Sequence, residues 1–243
     1  MEVNELIQKY KEGRRDFTGV NLSKADLNGA DLSHADLSGI NLSEASLYGA
    51  DLRKAKLNGA DLNGTKLYRA TLIGANLSGA DLGQADLSEA NLTEAKLYGV
   101  NLYKAILNKA KLARAKLNGA NLGNTKLVKA DLSDAILSEA RLFGANLTDA
   151  ILHRADLSRS SLNGANLTRA NLSEVDLSYA YLYGASFSEA DLSEANLTGA
   201  NLNGADLSKA NLFKANLTKA KLADVTMLGT ITEEANLTGV IWS

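Results

Sequence analysis

From Phe17 to Trp242 every fifth position is apolar, save Thr232, without one insertion. Of the 46 slots in that register, all but Phe17, Phe187, Met227, Thr232 and Trp242 hold Leu. Two places before most slots stands a small residue, most often Ala, and immediately before them most often stands Asp or Asn. Ser or Thr usually follows, then a variable position.

Period five fits neither regular element. Five residues advance about 500° around an α-helix, so successive leucines would scatter around the barrel rather than form a stripe. In a straight strand, each successive Leu would fall on the opposite face. A chain that makes a short extended piece and then turns a corner resolves the conflict. Ala25 and Leu27, or Ala30 and Leu32, then point inward together while the intervening Asp or Asn points out. Such a chain winds into an all-β solenoid whose coils stack at the strand spacing and bury columns of Leu and Ala.

The glycines count the corners. Gly19, Gly39, Gly59, Gly79, Gly99 and Gly119 recur at 20-residue intervals in one motif position, and Gly144, Gly164, Gly184 and Gly204 do so in another column. Four pentapeptides per coil follow, with turns of one type, positive in φ at the glycine, stacked on each other. The 46 motifs make roughly eleven to twelve coils, a rod of about 55 Å. The absence of Pro agrees, because each coil must donate backbone N–H groups to the next.

Both ends of a solenoid need covers. Val3, Leu6, Ile7 and Tyr10 fall on one helical face, with Asn4 as the expected N-terminal cap and Gly13 as the stop. Residues 1–14 therefore read as a helical cap, with the helix over 3–12, and residues 15–243 as the solenoid. From about residue 223 the repeats become atypical, through Met227, Leu228, Ile231 and Thr232 to Ile241 and Trp242. Two readings stay open for that end: a self-contained hydrophobic plug, or an exposed patch that pairs two chains end to end.

The pattern in Ala25-Asp26-Leu27-Asn28-Gly29 and Ala195-Asn196-Leu197-Thr198-Gly199 resembles the pentapeptide repeat family over about residues 15 to 243. The resemblance implies a right-handed quadrilateral parallel β-helix. The opening segment, Asn4-Glu5-Leu6-Ile7 through Tyr10 and Gly13-Arg14-Arg15-Asp16-Phe17, is similar to cyanobacterial members with a short N-terminal helix.

Composition narrows the functional classes. Without cysteine there is no disulfide and no thiolate metal site. No basic-then-apolar leader opens the sequence and no run of eighteen apolar residues occurs, so a cytoplasmic protein without a membrane role is expected. The net charge of −2 marks neither a nucleic-acid binder nor a strongly acidic mimic. Local charge is less even. Lys96, Lys104, Lys109, Lys111, Arg114, Lys116, Lys126 and Lys129 form a run with no acidic residue among them, and Glu174, Asp176, Glu189, Asp191, Glu194 and Asp206 form the reverse. The basic belt is a candidate dock for an acidic partner; the competing reading is a solvated surface whose charge drifts along near-identical repeats.

Catalytic, cofactor and metal sites are not expected. His34 and His153 are far apart in outward slots with no partner ligands. The many Asp residues interchange with Asn, which cannot act as a general base, so their shared role is hydrogen bonding to turn backbone. A filled solenoid also offers no pocket in which to desolvate a reactive group. The outward slots that depart from the pattern are more informative. Tyr103, Phe143 and Tyr183 share one motif position at two-coil intervals, with Tyr181 beside Tyr183, and form the candidate interaction wall. Tyr48 and Tyr68 stack elsewhere, and Ile106, Ile136 and Ile151 replace Asp or Asn. Stacked Tyr and Ile can equally serve only to stabilise their own wall.

The expected function is that of a non-enzymatic scaffold whose outer walls bind another protein, as a monomer or an end-to-end dimer. Cyanobacterial members of the family include a regulator of heterocyst differentiation, so the resemblance implies a regulatory partner. The alternative reading comes from members that mimic B-form DNA and act on DNA gyrase; this sequence departs from them in being loop-free and nearly neutral. A weak nucleic-acid binder acting through the basic belt is a further alternative.

Overall fold

A computed structural model describes residues 1–243 and contains one helix, α1 (Val3–Lys11), followed by turns joined through isolated parallel bridges. The bridges pair residue i with residue i+20, as in Asn101↔Asn121, Asn121↔Arg141, Arg141↔Ser161 and Ser161↔Tyr181. Four motifs therefore pass before the chain returns to the same column. No longer strand forms, because each motif contributes one bridge residue and gives the others to the turn.

The hydrogen bonds account for every N–H of a motif. In Ala35-Asp36-Leu37-Ser38-Gly39, the Ala35 N–H donates to Leu32 O across a turn at 3.1 Å. Asp36 donates back one coil to Arg15 O at 2.7 Å, while Leu37 and Gly39 donate forward to Lys56 O at 2.7 Å and Asn58 O at 3.0 Å. The fifth, on Ser38, donates to Oδ1 of Asp36 at 3.2 Å. That last bond recurs along the chain with either residue as acceptor, as in Ser23 to Asn21 at 3.0 Å and Ser88 to Asp86 at 2.9 Å. Asp and Asn interchange because the turn needs only an Oδ1 acceptor, which both carry.

A turn bond with positive φ at the third residue has the pattern of a type II turn. Glycine was expected there, yet 28 non-glycine residues adopt it too, from Lys24 (φ 60°) to Glu234 (φ 57°). Among them are Lys, Arg, Glu, Asp, Asn, Gln, His and one Tyr, but no Val, Ile or Thr. β-branched side chains are those that tolerate this region least. Cooperative stacking of each turn on the next holds the unbranched residues in place.

The interior is filled. The Leu column from Leu37 to Leu222 and the Ala column from Ala35 to Ala220 are buried, each Leu contributing about 1.5–3 kcal/mol of burial. Phe187 fits in place of Leu, and Ile40, Val100 and Val175 in place of Ala, all buried. Where Thr65, Thr125 and Ser160 enter the Ala column, their hydroxyls donate to Leu42 O, Leu122 O and Leu157 O at 2.9, 2.8 and 2.6 Å. No buried side-chain polar atom lacks a partner.

At the first coil α1 packs against the end of the core. Leu6 and Tyr10 are buried, and the Tyr10 hydroxyl donates to Ser33 O at 2.7 Å. The Arg15 guanidinium lies 4.0 Å from the Tyr10 ring centre and donates to Tyr10 O. Ile7 is only partly buried, beside a cleft of 430 Å³ between α1 and Leu27. The expected Asn4 cap is incorrect: the helix starts at Val3, Glu2 stands at the N-cap two residues before Asn4 without a side-chain bond, and Asn4 lies in the first turn. Gly13 does stop the helix, at φ +98°.

Of the two readings of the other end, the plug does not form. Met227 is half-exposed, and Leu228, Ile231, Leu237, Ile241 and Trp242 are exposed rather than folded over the last coil. Extended in register, they continue the spiral instead of crossing it, as the bridge Lys221↔Ile241 shows.

Candidate functional site

The turn residues stack at 20-residue intervals into corner columns, and two of these carry ladders of alternating charge. Arg114 pairs with Glu94, and Arg154 with Asp134, both at 2.8 Å along one corner. Arg69 pairs with Glu89, Arg169 with Asp149 and Lys209 with Glu189 along another. The Arg154 and Arg169 guanidiniums hold the Asp134 and Asp149 carboxyls below the ordinary carboxylate range, chiefly by hydrogen bonding. These pairs are exposed, so solvent and salt screen them and they add little to stability.

The cations of the basic belt occupy several columns and corners. Lys96 and Lys116 bridge each other in one column, Lys111 lies in a second and Lys126 in a third. Lys104, Lys109, Arg114 and Lys129 are turn residues on corners. Arg114 is neutralised by Glu94, and Lys104 lies 5.2 Å from the Tyr103 ring centre. The eight cations encircle the rod instead of facing one way.

The aromatic residues do converge. Tyr181 belongs to the bridge column Asn121–Arg141–Ser161–Tyr181, and Tyr103, Phe143 and Tyr183 each lie two residues beyond a member of that column. Although two coils apart, the Tyr103 and Phe143 rings approach to 6.2 Å between centres, tilted by 37°. Gly123 makes this possible: it occupies the intervening coil, and a Cβ there would sit 2.5 Å from Phe143 Cε1. Tyr181 and Tyr183 are 56% and 63% exposed, more than a stacked wall residue needs to be.

One member of this cluster escaped the sequence reading. Tyr179, 58% exposed, is a corner residue at φ 57° and leans over Gly199 of the next coil. Its corner is glycine from Gly19 to Gly119 and again at Gly199, interrupted by Glu139, Arg159 and Tyr179. That interruption was visible in the sequence as the end of the glycine run. With Tyr181, these three line a cleft of 380 Å³. By contrast, Tyr48 and Tyr68 pair with each other at 5.4 Å, and the Arg69 guanidinium lies 4.9 Å from the Tyr68 ring centre.

Neither histidine lies in a metal-binding group: no cluster of three or more His, Cys, Asp or Glu side chains is placed to hold an ion. His34 is a turn residue, and His153 Nδ1 lies 2.9 Å from the Ser173 hydroxyl. No helix is long and apolar enough to cross a membrane.

The repeat geometry agrees with comparisons to known proteins. No curated protein sequence is a significant match. Among solved structures, the chain is similar to HetL, a pentapeptide repeat protein involved in heterocyst differentiation regulation from the cyanobacterium Nostoc sp. strain PCC 7120. The identity is 36%, the TM-score 0.60, and the match covers 100% of this chain and 97% of HetL. A second Nostoc PCC 7120 pentapeptide repeat protein is 38% identical over 49% of this chain and 80% of its own, with a TM-score of 0.30. Full-length QnrB1, a plasmid-mediated fluoroquinolone resistance protein, is 17% identical over 94% of this chain and 93% of its own, with a TM-score of 0.37. The family model for pentapeptide repeats matches eight times, in segments running from residue 16 to residue 229. With bridges every twenty residues, a Leu and Ala interior and a family match along nearly its whole length, this chain belongs to the pentapeptide repeat family.

Proposed function

We propose that the protein is a non-enzymatic, cytoplasmic interaction scaffold: a right-handed quadrilateral rod that binds another protein through an outer wall. The observation that carries this reading is the aromatic cluster of exposed Phe143, Tyr181 and Tyr183 with half-buried Tyr103, in and beside one bridge column. Large aromatic side chains held on a rigid backbone lose little conformational freedom on binding, and such residues dominate interface energetics. The interior offers nothing comparable, since Leu and Ala fill it. Similarity to HetL supports a regulatory partner, and the quadrilateral section follows from four turns in each twenty-residue coil. The domain division at residues 14 and 15, with α1 as a dedicated cap, belongs to the same proposal.

The test is an affinity pull-down from the native host with the purified rod and with a variant carrying Tyr103, Phe143, Tyr181 and Tyr183 changed to Ser. A partner retained by the unmodified rod and lost by the variant supports the reading. Equal retention by both excludes this wall as the docking surface.

A further inference from the structure

The chain contains nine arginines, and seven of them are engaged within the rod. Arg14 donates to Asp16 O and Arg15 to Tyr10 O. Arg53 pairs with Asp51, Arg69 with Glu89, Arg114 with Glu94, Arg154 with Asp134 and Arg169 with Asp149. Arg141 and Arg159 alone have no side-chain hydrogen bond, ion pair or ring contact, and both are exposed. Glu139 stands one coil from Arg159 on the same corner, yet no bridge closes between them. Elsewhere the same geometry does close, as in Asp134 with Arg154.

Both free guanidiniums lie among the aromatics. Arg141 shares the bridge column of Tyr181, two coils before it and two residues from Phe143. Arg159 lines the cleft with Tyr179 and Tyr181. From Gly119 to Gly204, the corner-to-corner span of this column contains no charged residue besides Arg141, Arg159 and Glu139. The corner on its far side, Gly144, Gly164, Gly184 and Gly204, has no side chains, so nothing there obstructs an approaching chain.

We infer that Arg141 and Arg159, with Tyr179, Tyr181 and Tyr183, form a docking surface for a protein segment that offers carboxylates beside an aromatic or aliphatic side chain. The inference rests on the wall reading above and specifies the chemistry of its partner. A guanidinium is a planar fork that matches a carboxylate with two parallel hydrogen bonds, and it is enriched with Tyr at interface centres. Leaving two such groups unpaired, where every other arginine is satisfied, supplies charge complementarity to an acidic partner and penalises a basic one. A nucleic acid fits less well: two cations with a carboxylate beside them neutralise far fewer phosphates than the roughly six to ten contacts of a phosphate-binding surface.

The test uses the full chain. A displayed library of random twelve-residue peptides is selected on the rod, and the selected peptides are measured against the wild type, the double variant Arg141→Ser/Arg159→Ser, the triple variant Tyr179→Ser/Tyr181→Ser/Tyr183→Ser, and Arg53→Ser as a control. A dT20 oligonucleotide is titrated in parallel. The expected result is enrichment of Asp or Glu next to aromatic or aliphatic residues, with affinity at least tenfold weaker for the double and triple variants and unchanged for Arg53→Ser. Thermal melting verifies that each variant is folded. Selected peptides lacking carboxylates, or binding the double variant as well as the wild type, would overturn the inference while leaving the wall reading intact if the triple variant loses them. Binding of dT20 in preference to every peptide would overturn both, as would the retention of no peptide by any protein.

Discussion

Lys109 and Lys111 are two residues apart, both exposed and neither in an ion pair, yet the fold makes opposite demands on them. Lys109 is a turn residue at φ 58° whose N–H donates to Val128 O at 2.9 Å. Lys111 is a bridge residue between Asn91 and Asp131, a position that holds Ile at Ile106, Ile136 and Ile151. An unbranched residue already gives up about 1–2 kcal/mol in the left-handed region, and a β-branched one adds a clash of similar size. Lys109→Val should therefore lower the unfolding free energy by about 1–2 kcal/mol more than Lys109→Ala, which controls for loss of the charge. Lys109→Gly relieves the strain but loosens the unfolded chain by about 0.5–1 kcal/mol, leaving a gain of between zero and about 1.5 kcal/mol. Lys111→Val should stay within about 0.5 kcal/mol of wild type, since an extended, exposed bridge position accepts β-branching. Urea titration followed by circular dichroism reads all four midpoints. Equal losses for valine at 109 and 111 would refute the argument that stacked left-handed turns govern which residues this rod accepts.

Three further outcomes follow from the same geometry. Asn28 Oδ1 accepts the Tyr48 N–H at 2.8 Å in a coil where Ser46 replaces the usual Asp or Asn, so Asn28→Ala should lose about 1 kcal/mol and Asn28→Asp much less, read by urea titration. Gly123→Ala should push the Phe143 ring away from Tyr103, removing about 0.5–1.5 kcal/mol of aromatic pairing and changing the near-ultraviolet circular dichroism while the far-ultraviolet spectrum stays constant. The carboxyls of Asp16, Asp31 and Asp36 are held below their ordinary range, chiefly by hydrogen bonds from Thr18, the Ser33 backbone and Ser38 respectively. Below about pH 4 the unfolded chain takes up these protons first, so their contribution is complete above that range and is lost as pH falls through the depressed folded values. Thermal midpoints measured from pH 7 to pH 2 should fall only on the acid side, and Asp36→Asn should flatten that fall.

The fold was legible because one five-residue rule is repeated with few errors. The inward Ala and Leu, the twenty-residue coil and the backbone role of Asp and Asn all follow from positions that any single motif displays. Glycine columns signalled the left-handed corners, but the wider rule lay in a less conspicuous absence: no Val, Ile or Thr at those positions. The helix cap was misread because Asn4 is a good capping residue that this chain places inside the first turn, where Glu2 already ends the extended segment. The site was legible only in part. Tyr103, Phe143, Tyr181 and Tyr183 share a motif phase that can be read from spacing, whereas the reach of Phe143 across Gly123 depends on a rotamer. The idle guanidiniums of Arg141 and Arg159 also emerge only in three dimensions, because identical side chains one corner away are paired. The basic belt encircles the rod for a related reason: proximity in a solenoid sequence is proximity along the axis, not around it.

Placing a photo-crosslinking amino acid at position 183, and separately at position 68, in living host cells tests most directly whether the aromatic wall is the working surface. The account predicts a discrete covalent adduct with a protein from position 183 and none from position 68. No adduct at position 183, or the same adduct from both positions, would contradict it.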